Sequence, residues 1–135
     1  MRGVAQSGGE REPFRALVAD DEEAMRAFVA RALTRAGFRV TEVPDGQRAL
    51  EALGEERYDL LVTDIVMPVI DGISLALIAT KDQPDLKVLL ITGYAEERRR
   101  AMNLEALIHG VLEKPFSLND LTRETLAALG RRAEG

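Results

Sequence analysis

The chain has 135 residues, 46% of them hydrophobic and 30% charged, with a formal net charge of -5 and no cysteine. That length suits one globular domain, the lack of cysteine excludes disulfide stapling, and no apolar stretch approaches the roughly 18 residues of a membrane-spanning helix. The acidic balance argues against direct nucleic-acid binding, which needs a basic face to displace phosphate counterions.

Residues 1–13 are rich in Gly, Ser, Gln and charge and end at Pro13, the composition of a mobile tail. They lack the apolar core of a signal peptide, so the cytoplasm is the expected compartment. Strand and helix patterns then alternate. Phe14 to Ala19 is an apolar run reading as a first strand. Met25, Phe28, Val29, Ala32 and Leu33 recur at helical spacing until Gly37, a residue suited to a helix C-terminus. Phe38 to Val43 alternates with period two, a half-buried strand. Pro44-Asp45-Gly46 is a turn in which Asp45 can cap a helix carrying Ala49, Leu50 and Leu53.

The third strand, centred on Leu60-Leu61-Val62, is continuously apolar, as a central parallel strand covered on both faces should be. After Met67-Pro68 and Asp71-Gly72 comes a helix with Ile73, Leu75, Ala76, Leu77 and Ile78. Pro84 interrupts the chain before a fourth strand, Val88 to Ile91. A helix is expected over 95–107; its apolar content, Ala101, Met102, Leu104 and Leu107, is thin. The run Arg98-Arg99-Arg100, preceded by Glu96-Glu97, reads as a solvated helix face or as a local patch for an acidic partner. A fifth strand follows near Gly110 to Glu113, with His109 read as a solvated residue at its edge. Ser117 can N-cap a last helix with Leu118, Leu121, Thr125 and Leu129 on one face. Five βα units imply an α/β fold: a doubly wound parallel sheet of five strands with helices on both faces, in the flavodoxin-like order 2-1-3-4-5. One domain over 14–129 with a short tail at 130–135 accounts for the chain.

Four predicted strand ends carry chemistry: Asp20-Asp21, Asp64, Thr92 and Lys114. In an open parallel sheet the carboxyl ends of the strands form the ligand crevice, and in this order the first and third strands are neighbours. Three carboxylates a few ångströms apart raise one another's pKa unless a cation sits among them, and a hard divalent ion such as Mg2+ takes oxygen ligands of this kind. Asp64, alone at the end of the central strand, is the best nucleophile toward phosphorus. Lys114 can neutralise charge there and Thr92 can donate a hydroxyl hydrogen bond. Each signal has a plainer meaning: a helix cap for Asp20-Asp21, a turn for Thr92-Gly93, a surface lysine for Lys114. Their order and spacing, 44 residues from Asp20 to Asp64, 28 to Thr92 and 22 to Lys114, make coincidence a poor account.

From Phe14 to Leu129 the chain resembles a response-regulator receiver domain. Leu17-Val18-Ala19-Asp20-Asp21 is similar to the acidic pair of that family. Asp64-Ile65-Val66-Met67-Pro68 with Asp71-Gly72 is similar to its phosphoacceptor segment, Thr92 to its switch hydroxyl and Lys114-Pro115-Phe116 to its lysine loop. The resemblance implies phosphorylation of Asp64 by a histidine kinase or histidine phosphotransferase. It also implies Mg2+ ligation by Asp21, Asp64 and the Val66 carbonyl, with Asp20 acting mainly through water. Thr92 drawn toward the phosphoryl group would then alter the face formed by the helix over 95–107, the fifth strand and the last helix.

Thr63 to Pro68, Leu86-Lys87-Val88, Ile91 to Ala95 and Glu113 to Phe116, with no output domain, are further similar to single-domain cell-cycle regulators of the CpdR type. That similarity implies a phosphorelay upstream and delivery of substrates to the ClpXP protease downstream, with the unphosphorylated form active. Two features depart from the family pattern. Val111 stands where many receivers carry an inward-swinging aromatic, with Tyr94 a candidate to replace it or a packing residue. Ala106-Leu107-Ile108-His109 stands in place of the usual Gly-Ala. A protein-protein switch rather than an enzyme is expected, with a phosphoryl shuttle and an unphosphorylated scaffold as other uses of the fold. Haloacid-dehalogenase-type phosphatases combine the same residue types but place the nucleophile first and the acidic pair last, the reverse of the order here.

Overall fold

Leu60–Asp64 is buried at all five positions, and the remaining elements are arranged around it. The computed structural model describes residues 13–93 and 108–130. Among these are five strands, β1 Arg15–Ala19, β2 Arg39–Val43, β3 Leu60–Asp64, β4 Lys87–Thr92 and β5 Gly110–Glu113. The four helices are α1 Glu23–Arg35, α2 Gly46–Glu55, α3 Gly72–Asp82 and α4 Leu118–Ala128. The strands form one parallel sheet in the order β2-β1-β3-β4-β5, the doubly wound order expected. The helix expected over 95–107, Tyr94 and most of both expected tails lie outside the described residues.

The period-two alternation of a strand divides the interior into two cores. Leu17, Ala19, Leu61, Val88 and Leu90 face α2 and α3, where Ala49, Leu53, Leu75, Ala76 and Ala79 meet them. Ala16, Val18, Leu60, Val62, Leu89 and Ile91 face α1 and α4, where Val29, Leu33, Leu121 and Ala128 close the other side. The local signals act as their chemistry requires. Asp45 accepts the Arg48 N–H at 2.8 Å and Asp71 the Ser74 N–H at 2.7 Å, capping α2 and α3. Ser117 and Asp120 form a reciprocal capping box on α4, both bonds at 3.0 Å. Gly37, at φ +102, ends α1. The Phe38 N–H returns to the Leu33 carbonyl and the Gly37 N–H to the Thr34 carbonyl, both at 3.0 Å, the paired bonds of a left-handed helix stop.

Helical periodicity overstated the buried faces. Phe28 is 37% exposed, Leu77 and Ile78 each 41%, and Leu118 49%. A helix lying on a flat sheet buries a narrow stripe, which in α3 runs through Ile73, Leu75, Ala76 and Ala79; Leu77 and Ile78 fall on its far side.

Two long-range contacts fasten the edges of the fold, and neither was expected. Gln83, 7% exposed, accepts the Tyr58 N–H at 3.0 Å and donates to the carbonyls of Leu53 and Glu56 at 3.0 and 2.9 Å. One amide thereby joins the ends of α2 and α3 to the start of β3. His109 is exposed, as expected for a strand edge, yet its ring Nδ1 accepts the Val88 N–H at 2.9 Å while its backbone N–H donates to the Val88 carbonyl at 2.7 Å. Acceptance at Nδ1 requires the neutral ring, and partial desolvation of the ring together with the Lys87 charge holds its pKa below the ordinary 6.5.

Gln83→Ala leaves a buried N–H and two carbonyls without this partner and is expected to cost about 2–4 kcal/mol in urea unfolding; a loss below about 1 kcal/mol would mean that water replaces the amide. A second expectation concerns pH. The unfolded ring takes up a proton more readily than the folded one, so the His109 contribution is full above about pH 6.5 and is lost as pH falls toward the depressed folded value. The thermal midpoint should therefore drop more between pH 7.5 and 5.5 in the wild type than in His109→Gln. Equal drops would show that the ring is not linked to folding.

Candidate functional site

Register alone brings the four strand ends together. Ala19 pairs with Thr63, so Asp20 and Asp64 emerge side by side from β1 and β3. Asp64 pairs with Ile91, one residue before Thr92, and Thr92 pairs with Glu113, one residue before Lys114. The Lys114 N–H donates to the Thr92 carbonyl at 2.8 Å, which extends the ladder one step past β5. The Lys114–Pro115 peptide is cis.

Carboxylate oxygens of Asp20, Asp21 and Asp64 all lie within 4.8 Å of one another. Asp20 is 1% exposed and Asp64 6%, whereas Asp21 is open to solvent. The Lys114 Nζ stands 3.4 Å from Asp64 Oδ2. Burial raises the Asp64 pKa against the pull of Lys114 and the Val66 N–H. For Asp20 burial is again the main cause, followed by the opposing Glu22 N–H and the neighbouring Asp64 charge; its pKa rises from an ordinary 3.8 to about 6. Asp20 Oδ1 accepts the Glu22 N–H at 2.9 Å. Oδ2 is buried with no hydrogen-bond partner, and an unpaired buried carboxylate oxygen costs free energy. Asp20 is not a cap of α1, whose N-cap Glu22 makes no side-chain cap bond. The donor set fits a hard divalent cation: three carboxylates, one with an oxygen that the protein leaves unsatisfied.

The loop from β3 to α3 folds tightly over this corner. A Cβ on Gly72 would run into the Asp64 carbonyl, and one on Gly46 would meet Ile70 at 2.8 Å. Both glycines therefore let backbone approach backbone. Val69 has φ +71 and is 91% exposed, in a three-residue turn closed by the Ile70 N–H on the Pro68 carbonyl at 2.8 Å. Val66 is 56% exposed beside Asp64. Thr92 is fully buried at the end of β4, and Gly93 leaves room for the Lys114 stem, whose Cδ would sit 3.9 Å from a Cβ there. Sequence reasoning missed Arg26, which donates to the Asp20 carbonyl at 2.8 Å; an arginine six residues beyond a carbonyl carries no signal of that contact.

Residues 16–125 match the family model described as the response regulator receiver domain. The chain belongs to this family. It is 46% identical over 110 residues to the response regulator receiver protein CpdR of Brucella abortus, an alignment covering 82% of this chain and 92% of that protein. It is 42% identical over 108 residues to the sensor kinase CckA of the same organism, covering 78% of this chain and 11% of the kinase. It is also 34% identical to the response regulator MprA of Mycolicibacterium vanbaalenii, of whose length it spans 52% while 88% of this chain is covered. Among solved structures, a CheY-like receiver domain protein from Methanospirillum hungatei superposes with a TM-score of 0.81 at 26% identity, covering 88% of this chain and 95% of that one. The response regulator TrrA of Thermotoga maritima, in complex with Mg(2+)-BeF, gives 0.76 at 29% identity, covering 86% and 99%. Among the described residues no helix is long and apolar enough to cross a membrane.

Asp20→Asn removes one charge from this repulsive group. The folded pKa of Asp20 lies above its unfolded one, so ionisation penalises folding; the penalty is absent below about pH 4 and complete above about pH 6. At pH 7.5 without metal the variant should melt about 3–6 °C above the wild type, the shift expected of ~1 kcal/mol in a domain of this size. It should also lose most of the stabilisation that millimolar Mg2+ gives the wild type. A variant that melts lower than the wild type without metal would refute the repulsion argument.

Proposed function

We propose that this receiver accepts a phosphoryl group on Asp64 from a phosphohistidine of a histidine kinase or histidine phosphotransferase, and that the phosphorylated and free forms differ in their affinity for a protein partner. The observation that carries this reading is the group of three carboxylates with a buried, unsatisfied Asp20 oxygen, placed against a lysine that already contacts Asp64. One Asp64 oxygen forms the new bond to phosphorus as the bond from phosphorus to the donor imidazole nitrogen breaks. That nitrogen leaves with the electron pair and takes a proton from solvent. Lys114 draws the transferred group toward Asp64 and offsets its charge, and Thr92 donates its hydroxyl to a phosphoryl oxygen. Asp21, Asp64 and the Val66 carbonyl would hold a Mg2+ ion, with Asp20 acting through water, and the ion would supply the remaining positive charge.

The energy scale is adequate for a switch. The modification adds about 1.5 to 2 negative charges, and hydrogen bonds to a charged group are worth roughly 1.5–3 kcal/mol each. Two or three of them supply the roughly 5.5 kcal/mol that inverts a 1:99 equilibrium. The face that responds is the one bearing β5 and α4. Similarity to CpdR along nearly its whole length supports an adaptor as the finer reading, with the cytoplasm as the compartment and delivery of substrates to ClpXP in the unphosphorylated state as its form. Similarity to part of the sensor kinase CckA supports a second use, passage of the phosphoryl group to another histidine protein.

Intact mass after incubation with Mg2+ and acetyl phosphate tests the chemistry. The wild type should gain one phosphoryl group and Asp64→Asn none. No adduct on the wild type, or an equal adduct on the variant, would overturn the assignment. Thr92→Val should still be phosphorylated yet lose the difference in partner affinity between the two forms. Transfer from the labelled protein to a histidine phosphotransferase separates shuttle from adaptor.

A further inference from the structure

Every polar atom of Asp20 except Oδ2 is committed to a protein partner. Its N–H donates to the Val43 carbonyl of β2 at 3.2 Å, Oδ1 accepts the Glu22 N–H, and its carbonyl accepts Arg26 Nη1 at 2.8 Å. That carbonyl belongs to the peptide joining Asp20 to Asp21. Arg26 Nε is at the same time 3.6 Å from Glu42 Oε1 on β2, and the arginine side chain is only 18% exposed. One planar guanidinium thus spans from the exposed edge strand to the peptide between two of the three carboxylates.

We propose that Arg26, anchored by Glu42, is a positioning residue for the cation site: it fixes the plane of the Asp20–Asp21 peptide and thereby the direction in which the Asp21 carboxylate leaves the backbone. This inference rests on the reading of the site as a Mg2+ centre. Asp21 is exposed, so little packing holds it, and its carboxylate reaches within 4.8 Å of two buried ones only if the peptide before it is held. The Val43 bond fixes the peptide on one side of the Asp20 Cα; the Arg26 bond fixes the other. Arginine suits the position because its planar fork offers donors along two directions at once, whereas a lysine ammonium at this distance serves one partner well.

Charge and positioning predict opposite signs. Arg26 is a cation near a cation site, so if it acted only through charge its removal would strengthen Mg2+ binding. If it acts through the peptide, removal weakens binding. Calorimetric titration of Mg2+ into the full chain decides between them. Arg26→Met should raise the Mg2+ Kd by about 10-fold, the scale on which partners behind a ligand act. Arg26→Lys should recover part of that loss, and Glu42→Gln should weaken binding by a smaller factor. At saturating Mg2+ the phosphorylation rate of each variant should return near that of the wild type, a separation of Kd from rate that a general loss of structure would not give. A folded Arg26→Met with a Kd within twofold of the wild type, or tighter, overturns the proposal. Should Arg26→Met fail to fold, unchanged Kd values in both Arg26→Lys and Glu42→Gln overturn it. A wild type that binds no Mg2+ overturns the reading of the site, and this inference with it.

Discussion

β3 is hydrogen-bonded on both edges and covered on both faces, and its last residue is a carboxylate. The rest of the structure is arranged around that conflict. Burial of β3 sets the register of β1 and β4, and the register carries Asp20 and Thr92 to the same corner. A charge at the end of a fully buried strand is costly unless something balances it. Among the described residues Lys114 and the Val66 N–H do so, while Asp21 adds to the imbalance. The protein therefore holds a local electrostatic deficit at the end of a fully buried strand, where a cation or a phosphoryl group has most to gain by binding. Anything that binds the folded form alone also stabilises it, so occupancy of this corner and stability of the domain are linked.

Much of this was legible in the sequence because the signals are local. The five strands, their order, the Asp45 and Ser117 caps and the Gly37 stop each follow from residue types a few positions apart. The strand-end placement of Asp20, Asp64, Thr92 and Lys114 follows once the order of the strands is known. The contacts that were not legible join a side chain to backbone far away in sequence. Gln83 reaches Leu53, Glu56 and Tyr58; His109 reaches Val88. Nothing in the composition around either residue distinguishes it from a solvated polar side chain. The degree of burial on α1, α3 and α4 was misjudged for a different reason: periodicity gives the direction of a helix face but not its width, so Phe28, Leu77, Ile78 and Leu118 were placed too deep.

The family match and the geometry bear on different parts of the problem. The match establishes a receiver, and similarity to CpdR extends over nearly all of that protein. The arrangement of side chains adds a carboxylate at the end of the central strand, a lysine just past the end of β5 and a threonine at the end of β4 between them. Arg26 and Glu42 extend this arrangement outward to β2, so that the corner is supported from an edge of the sheet as well as from its middle.

The division of the interior by a sheet one residue thick has an evolutionary consequence. Leu17 and Val18 are adjacent in sequence but belong to different cores, and the same holds for Leu61 and Val62 and for Leu89 and Leu90. A change of volume at one of such a pair is felt by helices that the other never touches. Substitutions should therefore drift independently between neighbours along a strand and in concert between distant positions on one face, such as Leu61 with Leu75 or Val62 with Leu33. In an alignment of relatives, covariation would then separate into two interleaved sets. The alternation of the strands would be recorded as a pattern of shared history rather than of hydropathy.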